Sequence, residues 1–232
     1  MMYLYGGFFY ILIPGLLISI YASIKVNTTY SKFSRVGNSR NISGDQAARS
    51  ILDSAGLNNV DIEHIRGSLT DHYDPRSRVL RLSEGVYSST SIAAIGIAAH
   101  EAGHAIQHAT RYAPLAFRNS IVPIANFATN ASWIIFIIGL AISRQSGAFM
   151  MNLGIFIFCF AVIFHIATLF VEINASRIAV AQIDTMTFGD EEDVQGVKKV
   201  LSAAALTYVA ALLMAILQLA RMILLRNSRQ DN

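Results

Sequence analysis

The chain has 232 residues, 53% of them hydrophobic and only 14% charged, well under the roughly 25% charge of ordinary soluble domains. This composition excludes a wholly water-soluble protein and leaves room for one small domain outside an apolar phase. The net charge of +3 does not indicate a nucleic-acid partner, because lysines and arginines border apolar runs rather than alternating with aromatics; the single Cys159, inside such a run, excludes a disulfide framework or a thiolate zinc site.

In chain order, Met1–Ile24 is the first uncharged stretch long enough to cross a bilayer, which takes about 20 residues. It lacks the basic start of a signal peptide and its apolar core is too long for one, so it reads as an anchor. Residues 25–118 differ in character. Ser43 and Gln46 form a capping-box pair ahead of Ala47, Ala48, Ile51, Leu52 and Ala55 at helical spacing, with Gly56 closing a short amphipathic helix. The stretch "NVDIEHI" alternates, and "SLTDHYDPRSRVLRLS" reads as two extended pieces around an Asp74-Pro75 turn, the second spanning Val79 to Leu82. A small antiparallel sheet is expected. Ser88, Ser89, Thr90 and Ser91 offer N-caps for a helix over about 91–110, ended by "RYAP".

Three further uncharged runs follow: Asn119–Ser143, Gln145–Val171 and Val200–Ala220. The short "SRQSG" connection makes the first two a hairpin that returns the chain to the side it left. The expected organisation is therefore an anchor over 1–24, an extramembrane part over 25–118, a transmembrane hairpin over 119–171, a helix and acidic loop over 172–199, and a final transmembrane helix with a basic tail over 200–232. The acidic run Asp190–Asp193 is expected as a solvated loop.

The chemistry concentrates in "AAHEAGHAIQH", residues 98–108. His100 and His104 lie one turn apart on one helix face, about 6 Å from each other, so both imidazoles can reach one ion. Zinc takes histidine nitrogen at about 2.1 Å in a tetrahedral site, and a catalytic zinc keeps one position for water. Glu101 projects about 100° around the helix, placed to take a proton from that water without binding metal: the H-E-x-x-H arrangement of zinc peptidases. His108 is about 12 Å along the axis from His100, too far for one ion to bridge, and is expected at the helix end or behind the ligands. The third ligand must come from elsewhere. Glu172, at the exit of the third apolar run, is the candidate, although spacing alone is equally compatible with a carboxylate solvated at the membrane boundary.

The segments "LTDHYDPRSRVLRLS", "SIAAIGIAAHEAGHAIQH", "YAPLAFRNSIVPIANF" and "VEINASRIA" resemble the family of small membrane-bound neutral zinc metallopeptidases, zincins with a glutamate third ligand. The resemblance covers most of residues 43 to 185. It implies a mainly α membrane protein with a zincin-like α+β catalytic part and about four transmembrane helices. One zinc ion would be bound by His100, His104 and Glu172, with Glu101 as general base. Related zincins often carry an acidic residue four positions after the third ligand, orienting a histidine; Ser176 stands there, and the resemblance assigns it no role. His165, two turns before Glu172, is read as a satisfied group inside a helix bundle rather than an oxyanion donor, and Asp71, His72 and Asp74 as turn chemistry.

The expected function is membrane-integrated endoproteolysis of membrane or misfolded proteins by zinc-activated water. Val79–Leu82 is expected to pair with extended substrate. A non-proteolytic zinc-binding scaffold or chaperone is the alternative, which loss of Glu101 would have favoured; a metal transporter would require more intramembrane ionisable groups than His165. Lys25, Lys32, Arg35, Arg40, Arg111, Arg118, Lys198 and Lys199 fall on the side of the motif, against Arg144, Arg226 and Arg229 opposite, which places the catalytic part on the cytoplasmic side of the cell membrane. The sequence does not define the oligomeric state.

Overall fold

A computed structural model describes residues 8–142, 144–186 and 189–230. The first seven residues of the expected anchor, Ser143 of the hairpin connection, and Thr187 and Phe188 before the acidic run lie outside them. After a 3-10 turn over Phe8–Leu12 come α1 (Ile13–Phe33), α2 (Gly44–Ser54), β1 (Asp61–Ile65), β2 (His72–Asp74), β3 (Val79–Ser83), α3 (Ile92–Ala109), α4 (Ala113–Ala141), α5 (Arg144–Thr185) and α6 (Glu191–Gln230). The protein is mainly α-helical, and among the described residues four helices are long and apolar enough to cross a membrane. These helices run on past the uncharged stretches: α5 continues beyond Val171 to Thr185, and α6 begins nine residues before Val200.

The chain divides into two compact units. One comprises residues 1–21, 117–169 and 207–232. Its buried centre is Phe136, Met151, Phe158, Ala161, Met222 and Leu225, while Ile134, Ile137, Phe149 and Phe156 are exposed. Small residues let the two helices of the hairpin touch. A Cβ on Gly154 would meet the Ser132 carbonyl oxygen at 2.8 Å, and one on Gly139 would meet the Met151 nitrogen at 2.8 Å. Helices in lipid associate through such close packing, because apolar burial distinguishes little between lipid and protein.

The other unit, residues 22–116 and 170–206, has a core of small and branched side chains. Ile51 and Leu52 of α2, Leu80 and Leu82 of β3, and Ala98, Ala99 and Ala102 of α3 are fully buried, together with Ile183 of α5 and Val197 of α6. The backbone N–H of Ser43 donates to Gln46 Oε1 at 3.1 Å at the start of α2, and Gly56 follows the helix at φ +73°, a conformation without steric cost only for glycine. Ser91 caps α3, its hydroxyl accepting from the Ala94 N–H at 3.1 Å.

The sheet is mixed rather than wholly antiparallel. Its order is β1-β3-β2, with β1 parallel to β3 and β2 antiparallel to β3. Alternation in sequence marks strands but not their neighbours. Val79, Leu80, Leu82 and Ser83 are all buried, so β3 takes the central place. The Asp74-Pro75 turn delivers it there: Asp74 accepts from the Arg76 N–H at 2.9 Å and the Ser77 hydroxyl at 2.7 Å, bonds that hold its carboxyl down at a pKa of about 2. With both edges of β3 occupied, the expected pairing of this strand with substrate does not stand.

The acidic run also departs from expectation. Glu191, Glu192 and Asp193 form the first turn of α6, where carboxylates complement the unpaired N–H groups and positive end of the helix. Asp193 is buried, and its Oδ2 accepts from the Ser39 N–H at 2.8 Å and the Ser39 hydroxyl at 2.6 Å. Removing it breaks these part-buried bonds to Ser39, and a typical net hydrogen bond contributes about 0.5–1.5 kcal/mol. Thermal unfolding of purified protein is therefore expected to show Asp193→Ala clearly destabilised and Glu192→Ala, on an exposed position, close to wild type.

Candidate metal centre

α3 and α5 meet at Gly103, which has no side chain to keep them apart. A Cβ on Gly103 would lie 2.8 Å from the Ala175 carbonyl oxygen, so glycine is required at this crossing. The crossing brings Glu172 to His100 and His104: His100 Nε2 lies 3.1 Å from Glu172 Oε2 and His104 Nε2 3.6 Å from the same oxygen. The ligand atoms of the three side chains all fall within 4.8 Å of one another. Tetrahedral zinc with bonds near 2.1 Å separates its ligand atoms by about 3.4 Å, so both measured separations are close to what one ion requires. Glu172 is buried at 7% exposure, which excludes the reading of a carboxylate solvated at the membrane boundary.

Neighbouring groups orient the imidazoles. Gln107, 1% exposed, donates its amide to the Val171 carbonyl at 2.9 Å and to Asn174 Oδ1 at 2.8 Å. A carbonyl only accepts, so the opposite end of the amide, Oε1, is the atom 3.0 Å from His104 Nδ1. Nδ1 must then carry the proton, leaving the lone pair on Nε2. Ser176 Oγ stands 3.2 Å from His100 Nδ1 and holds the orientation of that ring. The Nε2 atoms of both rings and a carboxylate oxygen thus converge on one position. Such a donor set needs a cation, and its chemistry is that of zinc with histidine and carboxylate ligands.

Burial raises the pKa of Glu101, against the opposing charges of His100 and His104 and with the support of Glu172 and Asp71. For His104 burial disfavours the charged form, but the Glu172 hydrogen bond and the charges of Glu101 and Glu172 outweigh it, and its pKa is raised. The His104 shift reports the negative potential of the two carboxylates beside it, which a divalent cation also answers. Glu101 is fixed from β2: the Tyr73 N–H donates to its Oε2 at 3.1 Å.

Residues 8–227 match the family described as putative neutral zinc metallopeptidases. The chain belongs to this family. The "Putative membrane protease YugP" of Bacillus subtilis (strain 168) is 43% identical over 226 residues, covering 97% of this chain and 99% of the relative. No solved structure matches. Zinc, named in the family's description, suits the His/His/Glu donor set found here.

Of the residues singled out in sequence, His100, His104 and Glu172 come together and Glu101 lies beside them on α3. His108 does not join the group; its Nδ1 is 3.0 Å from the Tyr73 hydroxyl. His165 belongs to the other unit, with its ring against Phe164. Asp71 accepts from the backbone and hydroxyl of Ser83 at 2.7 and 2.9 Å, securing the end of β3. Gln107, Asn174 and Tyr73 were not foreseen. Gln107 had a signal, since it lies three residues after His104 and hence on the same face of α3; Asn174 and Tyr73 had none, because their contacts are made across the fold.

Gly103→Ala is expected to push α3 and α5 apart and lower zinc occupancy at least ten-fold in metal titrations of the full-length protein, while Gly37→Ala, where an added Cβ meets nothing within 4 Å, leaves occupancy unchanged.

Proposed function

We propose that this protein is a membrane-integrated zinc endopeptidase, with one zinc ion per chain held by His100, His104 and Glu172 and with Glu101 as general base. The observation that carries the reading is the convergence of two imidazole Nε2 atoms and Glu172 Oε2 beside a carboxylate that is itself held by the Tyr73 N–H. Bound zinc supplies a Lewis acid that polarises a carbonyl and makes water nucleophilic near neutral pH. The protein's own groups then handle the proton. Glu101, held beside the site by the Tyr73 N–H, takes it from the attacking water and returns it to the leaving amine. Gln107 and Ser176 keep His104 and His100 turned toward the metal while this occurs.

Substrate alignment falls to β2 rather than β3. One edge of β2 pairs with β3, and the Tyr73 N–H is directed to Glu101, so the other edge faces the motif helix. An extended peptide lying along that edge by main-chain hydrogen bonds would pass the metal site. The substrates are membrane or misfolded proteins, in keeping with helices that end in a bilayer.

Zinc analysis and cleavage of unfolded casein, with and without chelator, test the reading. Glu101→Gln is expected to retain one zinc and lose activity by about 10²-fold or more, the range general-base catalysis contributes. Glu172→Ala is expected to lose zinc, and His108→Ala to keep it. Wild-type protein that binds zinc without cleaving casein would move the assignment to the scaffold reading.

The basic residues flanking the helices put the catalytic part on the cytoplasmic side. In a Cys159→Ser background, an impermeant thiol reagent applied to intact cells is expected to label a cysteine at Ser146 and spare one at Asn59, both exposed positions; the reverse pattern would place the catalytic part outside.

A further inference from the structure

Away from the metal centre, the same unit holds a groove of about 530 Å³ between α1 and α6, within the range of small-ligand sites. Lys25 and Lys32 line it from α1, and Lys198 and Lys199 from α6. Lys25 and Lys32, two turns apart, share one face of α1, while the adjacent Lys198 and Lys199 diverge by about 100° around α6 and flank the groove, with Thr29 and Ser202 supplying hydroxyls. Four ammonium groups around one groove repel one another. No ion pair among the described residues involves any of them, and the recorded ring contact is Lys32 Nζ at 5.4 Å from the Phe33 centroid.

The groove also has a polarity along its length. On α1 the uncharged stretch ends at Ile24 and Lys25 follows; on α6 Lys199 precedes an uncharged stretch from Val200 to Ala220. Both helices are long and apolar enough to span a bilayer, so the lysines mark the level where apolar helix gives way to polar surroundings. Leu206, about 10 Å further along α6 than Lys199 at 1.5 Å per residue, lines the membrane-directed end. Lys32, Lys198 and Lys199 line the end away from the apolar stretches, whereas Lys25 lies seven residues nearer them, on the side of Leu206, so that cationic and apolar side chains meet at the membrane-directed end; this suits an amphiphile with an anionic head.

We infer that this groove binds the phosphate headgroup of an anionic phospholipid, the lysines neutralising the phosphate and Leu206 meeting the start of an acyl chain. Basic pockets beside membrane helices take anionic headgroups on these electrostatic grounds, and the apolar end distinguishes a lipid from free phosphate. The inference rests on the reading of α1 and α6 as spans, which resistance of the protein to alkaline extraction from membranes tests separately; it does not depend on proteolysis.

Full-length protein, purified in mild detergent and mixed with equal phosphatidylglycerol and phosphatidylcholine of the same chain length, is examined by native mass spectrometry for retained lipid. Wild type is expected to retain phosphatidylglycerol in preference. Lys25→Gln/Lys32→Gln/Lys198→Gln/Lys199→Gln is expected to lower that retention at least ten-fold, and the four arginine replacements to preserve it. Arg35→Gln/Arg40→Gln, equally basic and exposed but outside the groove, is expected to change nothing. Equal retention of the two lipids, unchanged retention in the glutamine variant, or an equal loss in the arginine-to-glutamine control would overturn the site. Displacement of the lipid by inorganic phosphate at matched concentration would overturn the assignment to a lipid.

Discussion

The candidate metal centre depends on a backbone contact. Glu172 can share its carboxylate oxygen with two imidazoles only if α5 lies almost against α3, and the missing side chain at Gly103 permits that approach to the Ala175 carbonyl. A larger residue would move Glu172 outward by a substantial part of the 3.1 and 3.6 Å that separate it from the histidines. Fixing four or five side chains around one ion is less demanding than setting the distance between the two helices that carry them. The alanine-rich surface of α3, with Ala98, Ala99, Ala102 and Ala105 all buried, extends the same constraint along its length.

The polar residues around the ligands follow from that proximity. Once α5 is close, the Val171 carbonyl and Asn174 come within reach of Gln107, and Ser176 within reach of His100. Each bond satisfies a buried polar atom that would otherwise be costly. Their joint effect is to orient both imidazoles, with Gln107 also setting which nitrogen of His104 carries its proton. A serine suffices at His100 where a carboxylate is common in related zincins, because a hydroxyl oxygen can accept the Nδ1 proton; the difference is in charge, since the hydroxyl adds no negative charge behind the ligand.

The sheet serves the site from the other side. Its edge strand β2 has only three residues, yet it holds the Glu101 carboxylate through the Tyr73 N–H and the His108 ring through the Tyr73 hydroxyl. β3 is the strand with the clearest hydrophobic signal, and that same signal put it in the centre, where its backbone is unavailable to a ligand. The weaker strand, paired on one side only, is the one that reaches the motif helix.

The amino-acid sequence by itself determined the helical, membrane-like class, the motif helix with its cap somewhere among Ser88, Ser89, Thr90 and Ser91, the strands, and the candidate pair His100 and His104, because each of these is written in local periodicity and spacing that short-range physics reads directly. It left Glu172 divided between ligand and boundary carboxylate, gave Asp193 to a solvated loop, and could not order the strands. Those questions turn on residues far apart in the chain: His100 and Glu172 are 72 positions apart, Ser39 and Asp193 154. Only tertiary packing decided them, since burial converts a carboxylate that water would otherwise satisfy into one that must find its partner within the protein.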